Sequence, residues 1–403
     1  MQIAGMIIEY NPLHSGHLHL VREARAQLGP ETGVIGVMSG NFVQRGDFAL
    51  VRQQARARGA VESGVDLVLE LPLPWAVASA ERFADGGVQV LAATGVVTHM
   101  AFGSECGDAE ALREVADCLL SPAYEAGLRR LLREGMSYAA CRQEVAAGIL
   151  GKEKAALLTS PNNILGIEYC KALLRRGCAI QPLTVKRKGT DYHGTELVEE
   201  IPSATLLRSL LREGERERAL SLLPPAMGKA YEAEEAAGRA PVFRENCERA
   251  ILARLRSMTE TEFAALDEGG EGLYHRLYDA SRQAASLEEL LAAAKTKRYA
   301  YTRLQRMALW AYLGLTPGEF PGELPYLRVL GANERGRDLL ARMRKTASVP
   351  ILTKPADVRR LPEPAQTLFA MEVRATDLYT LAYPDLSAAR GGAEWREGPV
   401  ILQ

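Results

Sequence analysis

The sequence lacks both an excess of charge and a long hydrophobic run. Its 403 residues include 49 Lys and Arg and 50 Asp and Glu, which gives a formal net charge of −1 at pH 7. No field of one sign covers the molecule, so a nucleic-acid partner needs a local basic surface. No apolar stretch reaches the roughly 20 residues of a membrane-spanning helix, and the first residues have a strand pattern instead of a signal peptide. We expect a cytoplasmic protein without membrane contact.

Cysteine is scarce, and its spacing matches no common metal site. The six cysteines are at positions 106, 118, 141, 170, 178 and 247, with no Cys-x-x-Cys pair and no Cys/His cluster. Structural zinc sites need such closely spaced ligands. We therefore predict no protein-bound metal, and free thiols in a reducing compartment.

The first half of the chain alternates short apolar runs with helical patterns, such as those over residues 53–63 and 109–120. The strand-like runs are residues 3–8, 33–38, 65–71, 97–102 and 180–185. Strands that are apolar on both faces and joined by helical crossovers predict an α/β fold with a doubly wound parallel sheet. Ligands of such sheets bind beyond the carboxyl ends of the strands.

The second half is mainly helical in pattern. A possible short strand over 326–331 is the exception, and the tail over 391–403 reads as loose. Amphipathic helices are predicted over 208–223, 245–257, 286–294, 302–313 and 334–345. The sequence thus predicts two domains, a catalytic α/β domain over 1–205 and a mainly α-helical domain over 206–403.

The turn after the first strand carries two histidines at the start of a helix. Residues 9–17 read Glu-Tyr-Asn-Pro-Leu-His-Ser-Gly-His. Free backbone N–H groups and the helix dipole attract anions at such a position, and Gly16 lets a phosphate approach the backbone. His14 and His17 can donate hydrogen bonds to a phosphoryl group in its transition state. The pattern resembles the His-x-Gly-His signature of the nucleotidyltransferase superfamily, whose members attack the α-phosphorus of ATP and release pyrophosphate.

A second motif of that superfamily, Ser-x-Thr-x-x-Arg, contacts the triphosphate. Residues 203–208 read Ser-Ala-Thr-Leu-Leu-Arg. Alone, Ser203 is equally well explained as a helix N-cap, and Arg208 as a solvated helix residue. Together with the two histidines, Ser203, Thr205 and Arg208 indicate a triphosphate site.

Polar residues also follow the second and fifth predicted strands. Ser39, Asn41, Gln44 and Arg45 lie in the first of these loops and can hold a small substrate. The alternative is a turn whose side chains satisfy local backbone groups. The second loop contains three consecutive cationic residues, at positions 186–188. Their positive charge is suited to binding nucleotide phosphates.

Longer segments resemble the bacterial tRNA(Met) cytidine acetate ligase family. They cover residues 9–17, 38–46, 102–105, 160–169, 187–193 and 297–303. The resemblance implies a Rossmann-like nucleotidyltransferase fold and a reaction in two steps. Acetate attacks ATP to give acetyl-adenylate, and N4 of the wobble cytidine of elongator tRNA(Met) then takes the acetyl group. The implied cofactor is ATP, which Mg²⁺ can accompany, held mainly by phosphates and water; no protein partner is implied.

The resemblance also implies roles for individual residues. Catalysis falls to His14, His17 and Arg187. The implied nucleotide contacts are Ile8, Glu9, Tyr10, Asn11, Pro12, His14, Gly16, His17, Gly103, Asn162, Asn163, Arg187, Lys188, Ser203, Thr205 and Arg208. Of the two asparagines, Asn163 is slightly favoured over Asn162.

A basic stretch in the second half is the candidate tRNA surface. Residues 285–345 contain eleven Lys and Arg against six acidic residues, with tyrosines among the first of them. Cations beside aromatic rings suit RNA phosphates and unstacked bases, and the alternative is a solvated helix face with inward tyrosines. With the resemblance, the stretch is assigned to tRNA through Lys297, Arg298, Tyr299 and Arg303.

Two other functions share these features. A small-molecule adenylyltransferase of cofactor biosynthesis would use the same ATP site, but it has no need of a large helical region with a basic stretch. A non-catalytic RNA-binding protein would need neither histidine, since a fold alone does not establish activity.

Overall fold

The computed structural model describes residues 1–134, 136–187, 202–270 and 272–402. It contains a large sheet and a short hairpin. The strands are β1 (Ile3–Ile8), β2 (Gly33–Ser39), β3 (Phe42–Val43), β4 (Asp47–Phe48), β5 (Leu67–Leu71), β6 (His99–Ser104), β7 (Gln181–Lys186), β8 (Leu327–Ala332), β9 (Ile351–Leu352) and β10 (Val400–Ile401).

The sheet has the strand order β10-β8-β5-β2-β1-β6-β7, with β9 paired to β8. The strands of the first half run parallel, whereas β8 runs antiparallel to β5. Alternate residues of β2 face opposite cores: Ile35 and Val37 belong to one buried cluster, and Val34 and Met38 to the other. Burial on both faces explains the continuously apolar strands. The predicted doubly wound α/β fold is confirmed, as a mostly parallel sheet with flanking helices.

Helices connect the strands and form most of the second half. They are α1 (Ser15–Leu28), α2 (Gln53–Glu62), α3 (Leu73–Ala76), α4 (Ala80–Ala93), α5 (Ala109–Leu120), α6 (Pro122–Arg133), α7 (Tyr138–Leu150), α8 (Lys152–Ala155), α9 (Pro161–Arg175), α10 (Ala204–Arg212), α11 (Arg216–Ser221), α12 (Pro225–Ala236), α13 (Glu248–Ser257), α14 (Glu260–Ala264), α15 (Leu273–Gln283), α16 (Leu287–Ala294), α17 (Tyr301–Leu313), α18 (Glu334–Thr346), α19 (Glu363–Thr380) and α20 (Ala393–Arg396). The single helix predicted over 208–223 is two, since Gly214, at φ +81°, ends the first. Within the described ranges, no helix combines the length and apolarity needed to cross a bilayer.

The second half also supplies strands to the sheet. The possible strand at 326–331 is confirmed as β8, which lies between β5 and β10. The expectation of a loose tail is wrong, because α20 and β10 lie within it and Glu394 is only 1% exposed. A strand as short as β10 leaves no periodicity to detect. The division at residue 205 stays a prediction, and the sheet contains strands from both sides of it.

A buried ionic network joins the tail to the sheet. Arg328 of β8 donates to the carboxylates of Glu70, at 3.1 Å, and of Glu394. Glu394 also accepts from Gln53 Nε2 at 2.8 Å and from the hydroxyl of Thr376. Burial raises the pKa of Glu70 to about 7, with Arg328 opposing and Glu394 adding to the rise. The network ties β5, β8, α2, α19 and the tail together.

The β3–β4 hairpin packs directly on helix α17. Gly46, at φ +77°, lies in its turn, and a Cβ there would be 2.5 Å from the backbone nitrogen of Arg306. Only a glycine permits both this backbone conformation and this contact. The polar loop after β2 is therefore held between the sheet and the helical region.

Candidate active site

The described site residues predicted after β1, β2, β6 and β7 lie at the carboxyl ends of these strands. β1 and β2 are in register from Ile3 opposite Gly33 to Ile8 opposite Met38, so their polar ends lie side by side. β6 pairs with β1 and with β7, which brings the loops after β6 and β7 to the same edge. This is where open parallel sheets bind ligands.

The two signature histidines cap helix α1 reciprocally. His14 is the N-cap residue, and its Nδ1 accepts a hydrogen bond from the Gly16 backbone N–H at 3.2 Å. His17 Nδ1 accepts from the His14 backbone N–H, also at 3.2 Å. The two rings lie 3.7 Å apart between centroids. A capping box normally uses Ser or Thr with Glu, and here imidazoles take both positions.

This capping fixes the protonation of both rings. Because each Nδ1 is an acceptor, the network assigns the single proton of each neutral ring to Nε2. Burial, with a smaller contribution from Arg187, lowers the pKa of His14 to about 4. Burial, followed by His14 and Arg187, holds the pKa of His17 well below its ordinary value. The site thus offers two neutral N–H donors near neutral pH.

Arg187 supplies positive charge beside these donors. Its backbone N–H donates to the Ser104 carbonyl at 2.9 Å, which fixes the loop after β7 against the end of β6. Its side chain crosses position 103, where a Cβ would be 3.3 Å from Arg187 Cγ. Gly103 therefore leaves room for the arginine stem. Lys188, predicted to assist it, lies outside the described residues.

Glu105 and the paired asparagines lock the loop after β6 to the start of α9. The Glu105 carboxylate accepts from the Asn162 side chain at 2.7 Å and from the Asn163 backbone N–H at 2.7 Å. Asn163 Oδ1 in turn accepts from the backbone N–H groups of Glu105, at 3.0 Å, and Cys106, at 3.1 Å. Burial acts to raise the pKa of Glu105, but these hydrogen bonds outweigh it and lower the pKa. Both asparagines thus have structural contacts, and Asn162 is the more exposed.

The end of β1 is joined to the loop after β2 through Glu9. Its carboxylate accepts from the Gln44 backbone N–H at 2.6 Å. Burial raises the pKa of Glu9, opposed by that hydrogen bond and by nearby arginines, Arg56 first. The chain then turns at Tyr10, which is buried at φ +48°, a left-handed conformation that is rare for an aromatic residue. Ile8 and Pro12 are buried on either side of this turn.

The loop after β2 is mostly occupied by structural contacts. Asn41 is 5% exposed, its Nδ2 donates to Thr376 Oγ1 at 2.9 Å, and its Oδ1 accepts from the Gln53 backbone N–H at 2.9 Å. Gln44 Nε2 donates to the Ala78 carbonyl at 3.1 Å. Ser39 Oγ is buried without a hydrogen-bond partner in the described part of the chain, and Arg45 is exposed. These contacts favour the turn interpretation for Asn41.

Arg56 of helix α2 belongs to the site and is missing from the sequence prediction. It is fully buried, and it donates to the carbonyls of Val51 at 3.2 Å, Ser39 at 3.0 Å, Glu9 and Gly40. Burial lowers its pKa to about 10. A detectable signal existed, because positions 53, 56, 57 and 60 fall on one face of a helix.

The Ser-x-Thr-x-x-Arg motif begins helix α10. Ser203 is its N-cap and accepts from the Leu206 backbone N–H at 3.1 Å, while Thr205 is exposed. Arg208 is 9% exposed and donates to Asp47 at 2.8 Å and to Asn11 Oδ1 at 3.1 Å. Arg208 therefore joins α10 to the signature turn and to the hairpin, and it is not a solvated residue.

The basic stretch contains exposed residues and residues that pack within the helical region. Lys297 and Arg298 are exposed. Tyr299 is 5% exposed, with the Arg303 guanidinium 5.3 Å from its ring centroid. Arg303 Nε also donates to the Glu268 carbonyl at 2.9 Å. Tyr299 and Arg303 thus make contacts within the helical region. Tyr299 is turned inward, as the alternative interpretation expected, whereas Tyr301 is 37% exposed.

Comparison with known proteins agrees with this geometry. The HIGH Nucleotidyl Transferase family matches residues 1–394. The tRNA(Met) cytidine acetate ligase of Alkaliphilus metalliredigens is 37% identical over 99% of this chain and 98% of its own length. That of Acetivibrio thermocellus is 36% identical over the full length of both. This chain belongs to the tRNA(Met) cytidine acetate ligase family of HIGH nucleotidyl transferases.

Solved structures of the family extend the match to three dimensions. Thermotoga maritima TmcAL bound with alpha-thio ATP superposes with a TM-score of 0.92 at 34% identity, covering 100% of both chains. The apo form of that protein gives a TM-score of 0.94. The resemblance and the nucleotidyltransferase fold inferred from sequence are thereby confirmed. The roles of individual residues stay predictions.

Proposed function

We propose that this protein is an ATP-dependent ligase that converts the wobble cytidine of elongator tRNA(Met) to N4-acetylcytidine. The observation that carries the proposal is the pair of imidazoles, His14 and His17, with their Nε2 donors beyond the end of β1. Full-length relatives named tRNA(Met) cytidine acetate ligase support it. We infer a cytoplasmic location, because ATP and tRNA are both available there.

In the first step, a carboxylate oxygen of acetate attacks the α-phosphorus of ATP. The bond from that phosphorus to the bridging oxygen breaks, and pyrophosphate leaves with the electron pair. The protein forms no covalent bond, so its contribution is to position the reactants and stabilise charge. His14, His17 and Arg187 face the growing phosphoryl charge, and the N-terminus of α1 adds a positive dipole end.

In the second step, the N4 amine of cytidine attacks the acetyl carbonyl. A C–N bond forms, N4 loses a proton, and AMP leaves with the electron pair of the C–O bond. Ser39, Asn41, Gln44 and Arg45 line the acetate and cytidine side in this proposal. Arg45, which is exposed, is the member that can reach a ligand without breaking the contacts of the loop.

The remaining assignments concern the nucleotide and the RNA. Gly103, Asn162 and Asn163 flank the adenosine, and Ser203, Thr205 and Arg208 lie on the triphosphate side. Lys297 and Arg298 are the exposed cations for tRNA, with Tyr299 and Arg303 supporting their surface. Among the described residues, no group of three His, Cys, Asp or Glu could hold a metal. Mg²⁺ that arrives with ATP would be held by phosphates and water.

The test is turnover of ATP labelled at the α-phosphate, with acetate, in the presence and absence of bacterial tRNA. Nucleosides from the tRNA are then analysed by mass spectrometry. We expect AMP release that requires both acetate and tRNA, with N4-acetylcytidine as the product. Label joined to a small molecule, with unmodified tRNA, would refute the proposal in favour of a cofactor adenylyltransferase.

The matched variants are His17→Ala and His19→Ala, both in helix α1. His17→Ala is expected to abolish product formation while tRNA affinity persists, because it removes a phosphate donor. His19 is two residues further along, about half a helical turn, so it lies on a different face of α1. Its Nδ1 is 3.7 Å from Glu23 Oε1, and its replacement should leave turnover near the parent level. Unchanged turnover in His17→Ala would contradict the phosphate-site assignment.

A further inference from the structure

Arg56 is a buried cation whose hydrogen-bond acceptors are all backbone carbonyls. Its side chain is 0% exposed, and the carbonyls belong to Glu9, Ser39, Gly40 and Val51. No carboxylate accepts a hydrogen bond from it in the described part of the chain. The Glu9 carboxylate compensates part of this charge through space. Burying a charge without a hydrogen-bonded counter-ion is still costly, so the presence of Arg56 needs an explanation beyond helix packing.

The positions of these carbonyls give that explanation. Glu9 directly follows β1, Ser39 ends β2 and Gly40 directly follows it. One guanidinium therefore spans the ends of two adjacent strands. The chain beyond Glu9 leads within five residues to His14. The chain beyond Gly40 forms the loop proposed for acetate and cytidine. The planar fork of arginine is suited to fixing several oxygens at once.

We propose that Arg56 is a positioning residue that sets the phosphate side of the site against the acyl-acceptor side. This inference rests on the proposed function. It adds that one side chain aligns the phosphate side of the site with the acyl-acceptor side. Gly40 supports this assignment. A Cβ there would be 3.1 Å from Gln53 Oε1, so the segment that carries this acceptor is closely packed against helix α2.

The chain contains a matched control for this role. Arg25 of helix α1 also joins strand ends, because it donates to the Thr32 carbonyl at 3.2 Å and to Asp66 at 2.9 Å. Thr32 precedes β2 and Asp66 precedes β5, so Arg25 lies at the amino ends, opposite the site. Its replacement tests the stability contributed by such a link without disturbing the strand ends that carry the chemistry.

The experiment compares Arg56→Lys with Arg25→Lys. Lysine keeps the buried charge but cannot reach all the carbonyls, and small displacements of reacting groups cost about a hundredfold in rate. For Arg56→Lys we expect kcat to fall about a hundredfold, while the ATP dissociation constant stays within about threefold of the parent. Arg25→Lys should lower the unfolding temperature with kcat unchanged. Parent-like kcat in folded Arg56→Lys would overturn the inference.

A second variant and a measurement without turnover also test the positioning role. Gly40→Ala retains the arginine but crowds the strand end that carries its Ser39 and Gly40 acceptors, because the added Cβ would be 3.1 Å from Gln53 Oε1. It should therefore lower kcat even if Arg56→Lys does not fold. Hydrogen exchange of residues 9–14 and 39–46 needs no turnover, and these segments should lose protection in Arg56→Lys but not in Arg25→Lys. An inactive parent would refute the proposed function, whereas equal protection in both variants would refute the positioning role alone.

Discussion

Replacing His14 with Asn should reduce the sensitivity of the fold to acid. His14 caps helix α1 through an unprotonated Nδ1 and is 7% exposed. A proton on Nδ1 would turn this acceptor into a donor that faces another N–H group. Asparagine is a good N-cap residue, so His14→Asn keeps an acceptor at this position while removing the titration.

The magnitude follows from the two pKa values of His14. The ordinary pKa is 6.5, and in the folded protein it is about 4. Between these values the unfolded chain binds more protons, so the free energy of unfolding falls as the pH falls. From pH 7.5 to pH 5, His14 alone should account for a loss of about 2 kcal/mol. His17 acts in the same direction, because its pKa is also lowered.

The assay is urea unfolding without ligand at pH 7.5 and pH 5. The parent protein should lose about 2 kcal/mol more over this interval than His14→Asn does. Comparing the two proteins cancels the contributions of their shared carboxylates. His19→Asn controls for removing an imidazole from α1. Parallel losses in the parent and in His14→Asn would show that Nδ1 is not held as an acceptor.

Two further perturbations test the tail and the RNA surface. Glu394→Ala removes one of the two carboxylates that pair with buried Arg328, and it leaves Gln53 and Thr376 without their acceptor. Urea unfolding should show a loss of about 3 kcal/mol. Glu397→Ala is the control, because it breaks a more exposed ion pair with Arg52, and it should cost about 1 kcal/mol or less. Similar losses in both variants would refute the buried network. Lys297→Ala combined with Arg298→Ala should weaken tRNA binding and reduce its salt dependence by about two counter-ions. An unchanged affinity and salt slope would leave the stretch as a solvated face.

The sequence was most informative where one physical pattern dominates. Strands buried on both faces must be continuously apolar, so β1 and β2 were predicted almost residue by residue. The turn over residues 9–17 was also recognisable, because its residue types are rare together and follow a strand. That His14 and His17 cap the helix through Nδ1 was not predicted, since it depends on side-chain geometry.

The sequence could not reveal side-chain contacts between residues that are far apart in the chain. Arg56 and Arg58 are two residues apart in one helix, yet Arg56 is fully buried and Arg58 is exposed. The two residue types are identical, so residue type alone does not separate them. Arg56 can be buried because the carbonyls at the ends of β1 and β2 accept its hydrogen bonds. Similarly, Arg208 was read as a phosphate ligand or a solvated residue. Its contacts with Asp47 and Asn11 arise from loops far away in the chain.

The insertion of β8 between β5 and β10 has a consequence for biosynthesis. Residues 67–71 leave the ribosome early, but their neighbour in the sheet, at 327–332, follows more than half a chain later. The first part of β8 pairs with β9 at residues 351–352, and its last part pairs only once residues 400–401 have been made. Until then the growing chain exposes an unpaired, apolar strand edge of the kind that promotes aggregation. We therefore expect the nascent chain to be prone to aggregation through this edge until the late strands have been made.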